Sequence, residues 1–148
     1  MDERSVFLAI SVPLTGFDRL ALEGTGMVDG YLATLRREVA PATLNAFWSR
    51  AAEVLQDTQN EPACRNARIR QELFPINVFD GLAQNIIFMW YCGQWQPTVD
   101  GPSVNLATVR NVSAEAYVQG LVWPAANTHP PGAKQPGFGS WAIPPLSR

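Results

Sequence analysis

The chain has 148 residues, 47% of them apolar, and its 13 acidic and 11 basic side chains leave a net charge of −2. Only 16% is charged, against about 25% in an ordinary soluble domain. The deficit is uneven: residues 1 to 70 hold 17 of the 24 charges and residues 71 to 148 hold 7. A chain of this length buries roughly 68–70% of its unfolded surface, which excludes disorder from end to end. The acidic balance, with no basic cluster beyond Arg65, Arg68 and Arg70, argues against nucleic acid as a partner, and no apolar run reaches the ~20 residues of a bilayer span.

The first ninety residues read as helices. Asp2 and Glu3 can cap a short helix with Phe7, Leu8, Ile10, Ser11 and Leu14 near helical spacing, ended by the stretch from Pro13 to Gly16. A break at Gly24 and Gly26 follows. Met27, Val28, Tyr31, Leu32, Leu35 and Val39 then form a helical stripe, with Asp29, Arg36, Arg37 and Glu38 on the outer face. Pro41 suits the opening turn of a third helix, whose apolar face is Leu44, Phe47, Trp48, Ala51, Val54 and Leu55. Asn60-Glu61-Pro62 stops it and starts a fourth, arginine-rich helix.

The fifth segment differs. Val78, Phe79, Leu82, Ala83, Ile86, Ile87, Met89 and Trp90 are apolar on more than one face, with Gly93 where a C-terminal cap belongs. A helix apolar nearly all round is buried, so this one is expected at the centre of the bundle. A loop containing Pro97, Gly101 and Pro102 leads to a short helix from Ser113, its N-cap, to Leu121. The expected fold is all-α: a compact antiparallel helical bundle over residues 1–121, with a long irregular Pro/Trp-rich C-terminal arm over 122–148 in the same domain. From Leu121 onward the chain has six of its twelve prolines and no acidic residue, a density that no regular helix survives. Trp123, Phe138, Trp141, Ile143 and Leu146 are costly to leave in water, so the arm is expected to lie on its own bundle or on another protein.

Catalytic chemistry is hard to find in this sequence. His129, the only histidine, sits in Asn127-Thr128-His129-Pro130-Pro131 with no acid nearby, and no His, Cys and carboxylate set has metal-ligand spacing. Cys64 and Cys92 match no zinc or redox motif. The run from Gly24 to Gly30 approaches a dinucleotide fingerprint, but its last gap is one residue too long and no strand pattern precedes it. Asn111-Val112-Ser113 is a glycosylation sequon, a short and common pattern. No catalytic, cofactor-binding or metal-binding residue is therefore expected. Core packing is the expectation for Trp48 and Trp90, whereas for Trp95, Trp123 and Trp141 an interface anchor is as well supported as self-packing.

Three groups of residues carry a family resemblance: Phe7-Leu8-x-x-Ser11-x-x-Leu14-Thr15-Gly16; Ile86-Ile87-x-x-Trp90-Tyr91-x-Gly93; and Ala116-Tyr117 with Leu121-Val122-Trp123-Pro124, His129-Pro130-Pro131-Gly132 and Gly139-Ser140-Trp141. In order and spacing the chain resembles the small (gamma) subunits of bacterial FAD-dependent sugar and polyol dehydrogenases, such as those of D-sorbitol, fructose and FAD-dependent glucose dehydrogenase. The resemblance implies a helical, non-catalytic accessory subunit that binds and stabilises a large catalytic flavoprotein of the glucose-methanol-choline type and aids its folding and export. FAD would belong to that partner, and a cytochrome c subunit often completes such complexes. The contact residues expected on this reading are Trp90, Tyr91, Trp95, Trp123, Pro124, His129, Phe138 and Trp141. Met1-Asp2-Glu3-Arg4 has the wrong charge for a secretory signal and Arg36-Arg37 precedes an amphipathic stretch. A periplasmic place in the complex is expected through processing or the partner's signal, with the cytoplasm as the alternative. Two other classes stand beside this one: a small helical enzyme using His129, and a self-contained helical binding module.

Overall fold

The computed structural model describes residues 2–97, 108–131 and 133. Phe138, Trp141, Ile143, Leu146 and the loop positions Gly101 and Pro102 lie outside the described residues. The fold is all-α and compact. Its helices are α1 (Glu3–Thr15), α2 (Arg19–Gly24), α3 (Val28–Glu38), α4 (Pro41–Asp57), α5 (Pro62–Glu72), α6 (Ile76–Phe79), α7 (Leu82–Cys92), α8 (Ala114–Val118) and α9 (Val122–Ala125), and a two-stranded ribbon pairs β1 (Gln94–Trp95) with β2 (Arg110–Asn111).

Asp2 starts α1 by accepting from Ser5 N at 2.7 Å, as an N-cap carboxylate does. Pro13 lies inside the helix, which ends at Gly16 in the left-handed region with its N–H on Val12 O. Val6, Phe7, Leu8, Ile10, Ser11 and Thr15 are all buried, so α1 is covered on more than one face. It packs against α2, α3, α4 and α7 and acts as the hub of the bundle.

The stripes expected on α3 and α4 are the faces the fold buries. On α5 the buried position is Ile69, and the helix is held mainly by polar contacts. The Arg65 guanidinium donates to the carbonyls of Thr58 and Gln59 at 2.8 and 3.0 Å, satisfying acceptors that the end of α4 leaves open. Arg68 bridges Asp57 and Glu72.

The structure corrects the sequence reading in four places. A separate helix, α2, precedes the glycine break; Asp18 caps it by accepting from Ala21 N at 2.8 Å. The continuous helix expected from Val78 is split, because Asp80 (φ 50°) and Gly81 (φ 72°) are both left-handed, and an Asp-Gly pair is a turn signal even inside an apolar run. The β1–β2 ribbon was not expected; Val112 N extends it by donating to Gly93 O at 2.9 Å. The arm opens with a helical turn, α9, that contains Pro124; a proline in a first turn costs no helical hydrogen bond, since those N–H groups have no partner anyway.

Aromatic rings join the helices at the centre. Trp90 stacks on Phe7 at 5.7 Å and 15° and meets Tyr31 edge-on at 4.9 Å. Phe47 stands edge-on to Trp48 and to Phe79, which ties α4 to α6 and spreads the core across the bundle.

Candidate interaction surface

The residues singled out in the sequence fall into separate groups. Trp90 and Trp95 are 1% and 2% exposed, so both rings, each expected among the contact residues, belong to the chain's interior; for Trp90 core packing was expected as well. Tyr91 is half-buried; its hydroxyl donates to Thr15 O at 2.7 Å and its ring meets Phe17 edge-on. Trp123 is half-buried, Pro124 exposed and His129 half-buried. Phe138 and Trp141 lie outside the described residues.

Tyr91, Trp123 and the backbone around them form the root of the arm. Gly93 takes a positive φ of 66° at the end of α7, and a Cβ there would overlap the Ala116 carbonyl. A Cβ on Gly120 would stand 2.7 Å from Tyr91 O. These two glycines let α8 and the arm run directly over the end of α7. Leu121 N then donates to Trp90 O at 2.9 Å, another of the carbonyls a helix end leaves open. Trp123 Nε1 donates to Tyr117 O at 2.8 Å, the two rings meet edge-on at 5.4 Å, and Thr128 N donates back to Trp123 O at 2.9 Å. Leu121 and Trp123 thereby fix the opening of the arm to the bundle, and the Thr128 bond closes a turn within the arm.

Ser11, Tyr117, Gly93 and Gly120 were not recognised as contributors to this unit. Only Gly93 had a clear signal, as a glycine following an apolar helix. Ser11 stood among apolar positions of α1, which is the pattern of a buried polar group with a partner.

Charged side chains tie elements of the fold together. Ion pairs with Arg110, from β2, and Arg37 hold the Glu38 carboxyl below its usual range. Arg68 does the same for Glu72. Burial pushes the Cys92 thiol up, and Cys64 and Cys92 are both unbonded. The His129 ring lies 3.5 Å from Pro130 O. Among the described residues no group of three or more His, Cys, Asp or Glu side chains could hold a metal ion, and no helix is long and apolar enough to cross a membrane. Exposed large apolar side chains among them are Leu20, Ile76 and Val78. Compared with protein-family models, curated proteins and solved structures, the chain matches none.

Proposed function

We propose that the chain is a non-catalytic small subunit of an FAD-dependent sugar or alcohol dehydrogenase complex, which binds and stabilises a large flavoprotein of the glucose-methanol-choline type in the periplasm. One observation carries the reading. The three residue groups behind the resemblance are far apart in sequence but meet in the fold: Ser11 accepts from Trp90 Nε1, Thr15 O accepts from the Tyr91 hydroxyl, and Trp90 O accepts from Leu121 N.

The mechanism is stabilisation by mass action. A subunit that binds only the folded flavoprotein at a free concentration of 100 Kd stabilises it by about 2.7 kcal/mol. FAD and the reacting groups belong to the large subunit, and a cytochrome c subunit, where the complex has one, accepts its electrons. The test is co-expression with a large flavoprotein of the glucose-methanol-choline type. The expected result is a flavoprotein that is soluble, flavin-loaded and co-purifies with this chain, and that is lost when made alone; a flavoprotein equally soluble and active without the chain overturns the reading.

A second reading, a self-contained helical binding module, draws on the arm root, which is held to the chain's own bundle through Leu121 and Trp123. Truncation of the arm separates the two, as argued below.

A further inference from the structure

The α5 helix is attached to the bundle differently from the other long helices. Each of α1, α3, α4 and α7 buries five or more side chains, whereas α5 buries Ile69 alone over eleven residues. Beside Ile69 lies a gap of about 210 Å³, walled by Pro13 and Leu14 of α1, by Phe74, and by Asn66 and Arg70 of α5 itself. Side chains that line an unfilled gap forfeit the dispersion contacts that would fix a helix in place.

Charged groups supply most of the remaining attachment. Arg65 donates to Thr58 O at 2.8 Å, Arg68 Nη1 meets Asp57 Oδ2 at 2.8 Å, and Glu72 Oε2 meets Arg50 Nε at 3.0 Å. Arg68 and Glu72 also pair with each other at 2.7 Å, and Arg50 pairs with Glu53 on α4. The side chains of Arg68 and Glu72 are 24% and 21% exposed in this seam, and a connected network of this kind holds better than isolated surface pairs. On either side of the helix the chain is pinned. Thr58, 2% exposed, donates its hydroxyl to Val54 O. Leu73 is fully buried, and Gln84 Nε2 donates to Phe74 O at 2.8 Å.

From these contacts we infer that α5 is a charge-latched lid: residues 59–72 come off the bundle as one unit between the two pins while α1 and α7 stay packed, and the Arg50–Glu72–Arg68–Asp57 network is the latch. Segments with few buried apolar contacts are the ones that open below the free energy of global unfolding. Eleven residues are too few to hold a helix alone in water, so detachment and local melting are one event. Opening bares Ile69 and the apolar wall of the gap, where Pro13, Leu14 and Phe74 are half-buried when the lid is closed. Salt screens the latch and shifts the balance toward the open form. The inference stands on the seam between α4 and α5 and does not depend on the subunit reading.

The test is native-state hydrogen exchange on the ¹⁵N-labelled full chain, in rising sub-denaturing urea and at two salt concentrations. The amides of residues 65–73 are expected to be about tenfold less protected than the slowest amides of α1 and α7, with a shallower urea dependence. Raising NaCl from ~0.01 M to ~1 M shortens the Debye length from about 30 to about 3 Å and is expected to lower α5 protection about threefold. Glu72→Gln, which removes the carboxylate shared by Arg50 and Arg68, is expected to lower it about fivefold at low salt and to remove most of the salt effect. Ser11→Ala weakens the bundle at a bond that the lid does not touch, so it is expected to lower α1 and α7 protection about fivefold or more and to leave α5 unchanged. The inference is overturned if the α5 amides share the protection and urea slope of α1 and α7, if they lose protection in step with them in Ser11→Ala, or if they respond to neither salt nor Glu72→Gln.

Discussion

Trp90 Nε1 donates to Ser11 Oγ at 2.9 Å across 79 positions of sequence, with both residues buried. Ser11 in turn donates to Phe7 O at 2.7 Å, so the serine hydroxyl is fully engaged and fixes the height of the indole against α1. Removing it in Ser11→Ala leaves a buried indole N–H without an acceptor, at a cost of about 1–3 kcal/mol. The expected result is a lower midpoint in urea unfolding with an unchanged slope. In a double-mutant cycle with Trp90→Phe, the second substitution recovers part of the loss; strict additivity of the two would show that the bond is not coupled.

Gly93 and Gly16 both have positive φ at a helix end, but only Gly93 lies against another segment. Gly16→Ala is expected to cost about 1–2 kcal/mol, the ordinary penalty for a Cβ in the left-handed region. Gly93→Ala adds an overlap with the Ala116 carbonyl and so has to push α8 away, at a cost several-fold greater. Thermal unfolding of the two variants side by side checks the difference; equal losses would mean that α8 yields freely.

Stability should fall at both ends of the pH scale, for different groups. Glu38 and Glu72 are held below their usual 4.5 by arginines. Their contribution is therefore complete above about pH 4.5 and lost as pH falls through the lower folded values. Tyr31 runs the other way: burial raises its hydroxyl well above the usual 10.0, so its contribution is complete below about pH 10 and lost as pH rises beyond it. Urea midpoints measured across the range should show a plateau between these limits. Glu38→Gln should soften the acid limb and Tyr31→Phe the alkaline one.

Cutting the chain after Ala133 retains the bonds of Leu121 and Trp123 to the bundle, and cutting it after Gln119 removes both. The longer product is expected to keep the unfolding midpoint of the full chain and to lose co-purification with the flavoprotein. The shorter one loses the buried Leu121 and about 2–5 kcal/mol with it, the usual range for a buried leucine side chain. A longer product that no longer folds would favour the self-contained module.

Where the sequence repeats an apolar face against a charged one, as in α3 and α4, its periodicity marks the helix and the buried residues together. The Asp80–Gly81 break was harder to see, because apolar positions run on either side of it and the turn is made by backbone conformation. The α2 helix is six residues long with one buried position, Leu22, too little to establish a period. The β1–β2 ribbon is two residue pairs across 15 positions, and pairing at that distance leaves no local trace. Trp90 was expected both as core and as a contact residue, and its ring lies in the core. The inward turn of Trp95 depends on the ribbon and was therefore hidden with it.

The bond between Ser11 and Trp90 also sets an order of events during synthesis. Ribosomes add roughly 5–20 residues per second, so about 4–16 s separate the emergence of the two partners, and Leu121 follows later still. Throughout that interval α1, which the finished bundle covers on more than one face, has no α7 to lie against, and α4 is complete only part of the way through it. The helix made first is the last to be fully enclosed, and a nascent chain stalled before Trp90 should present α1 to whatever holdase waits at the exit of the ribosome.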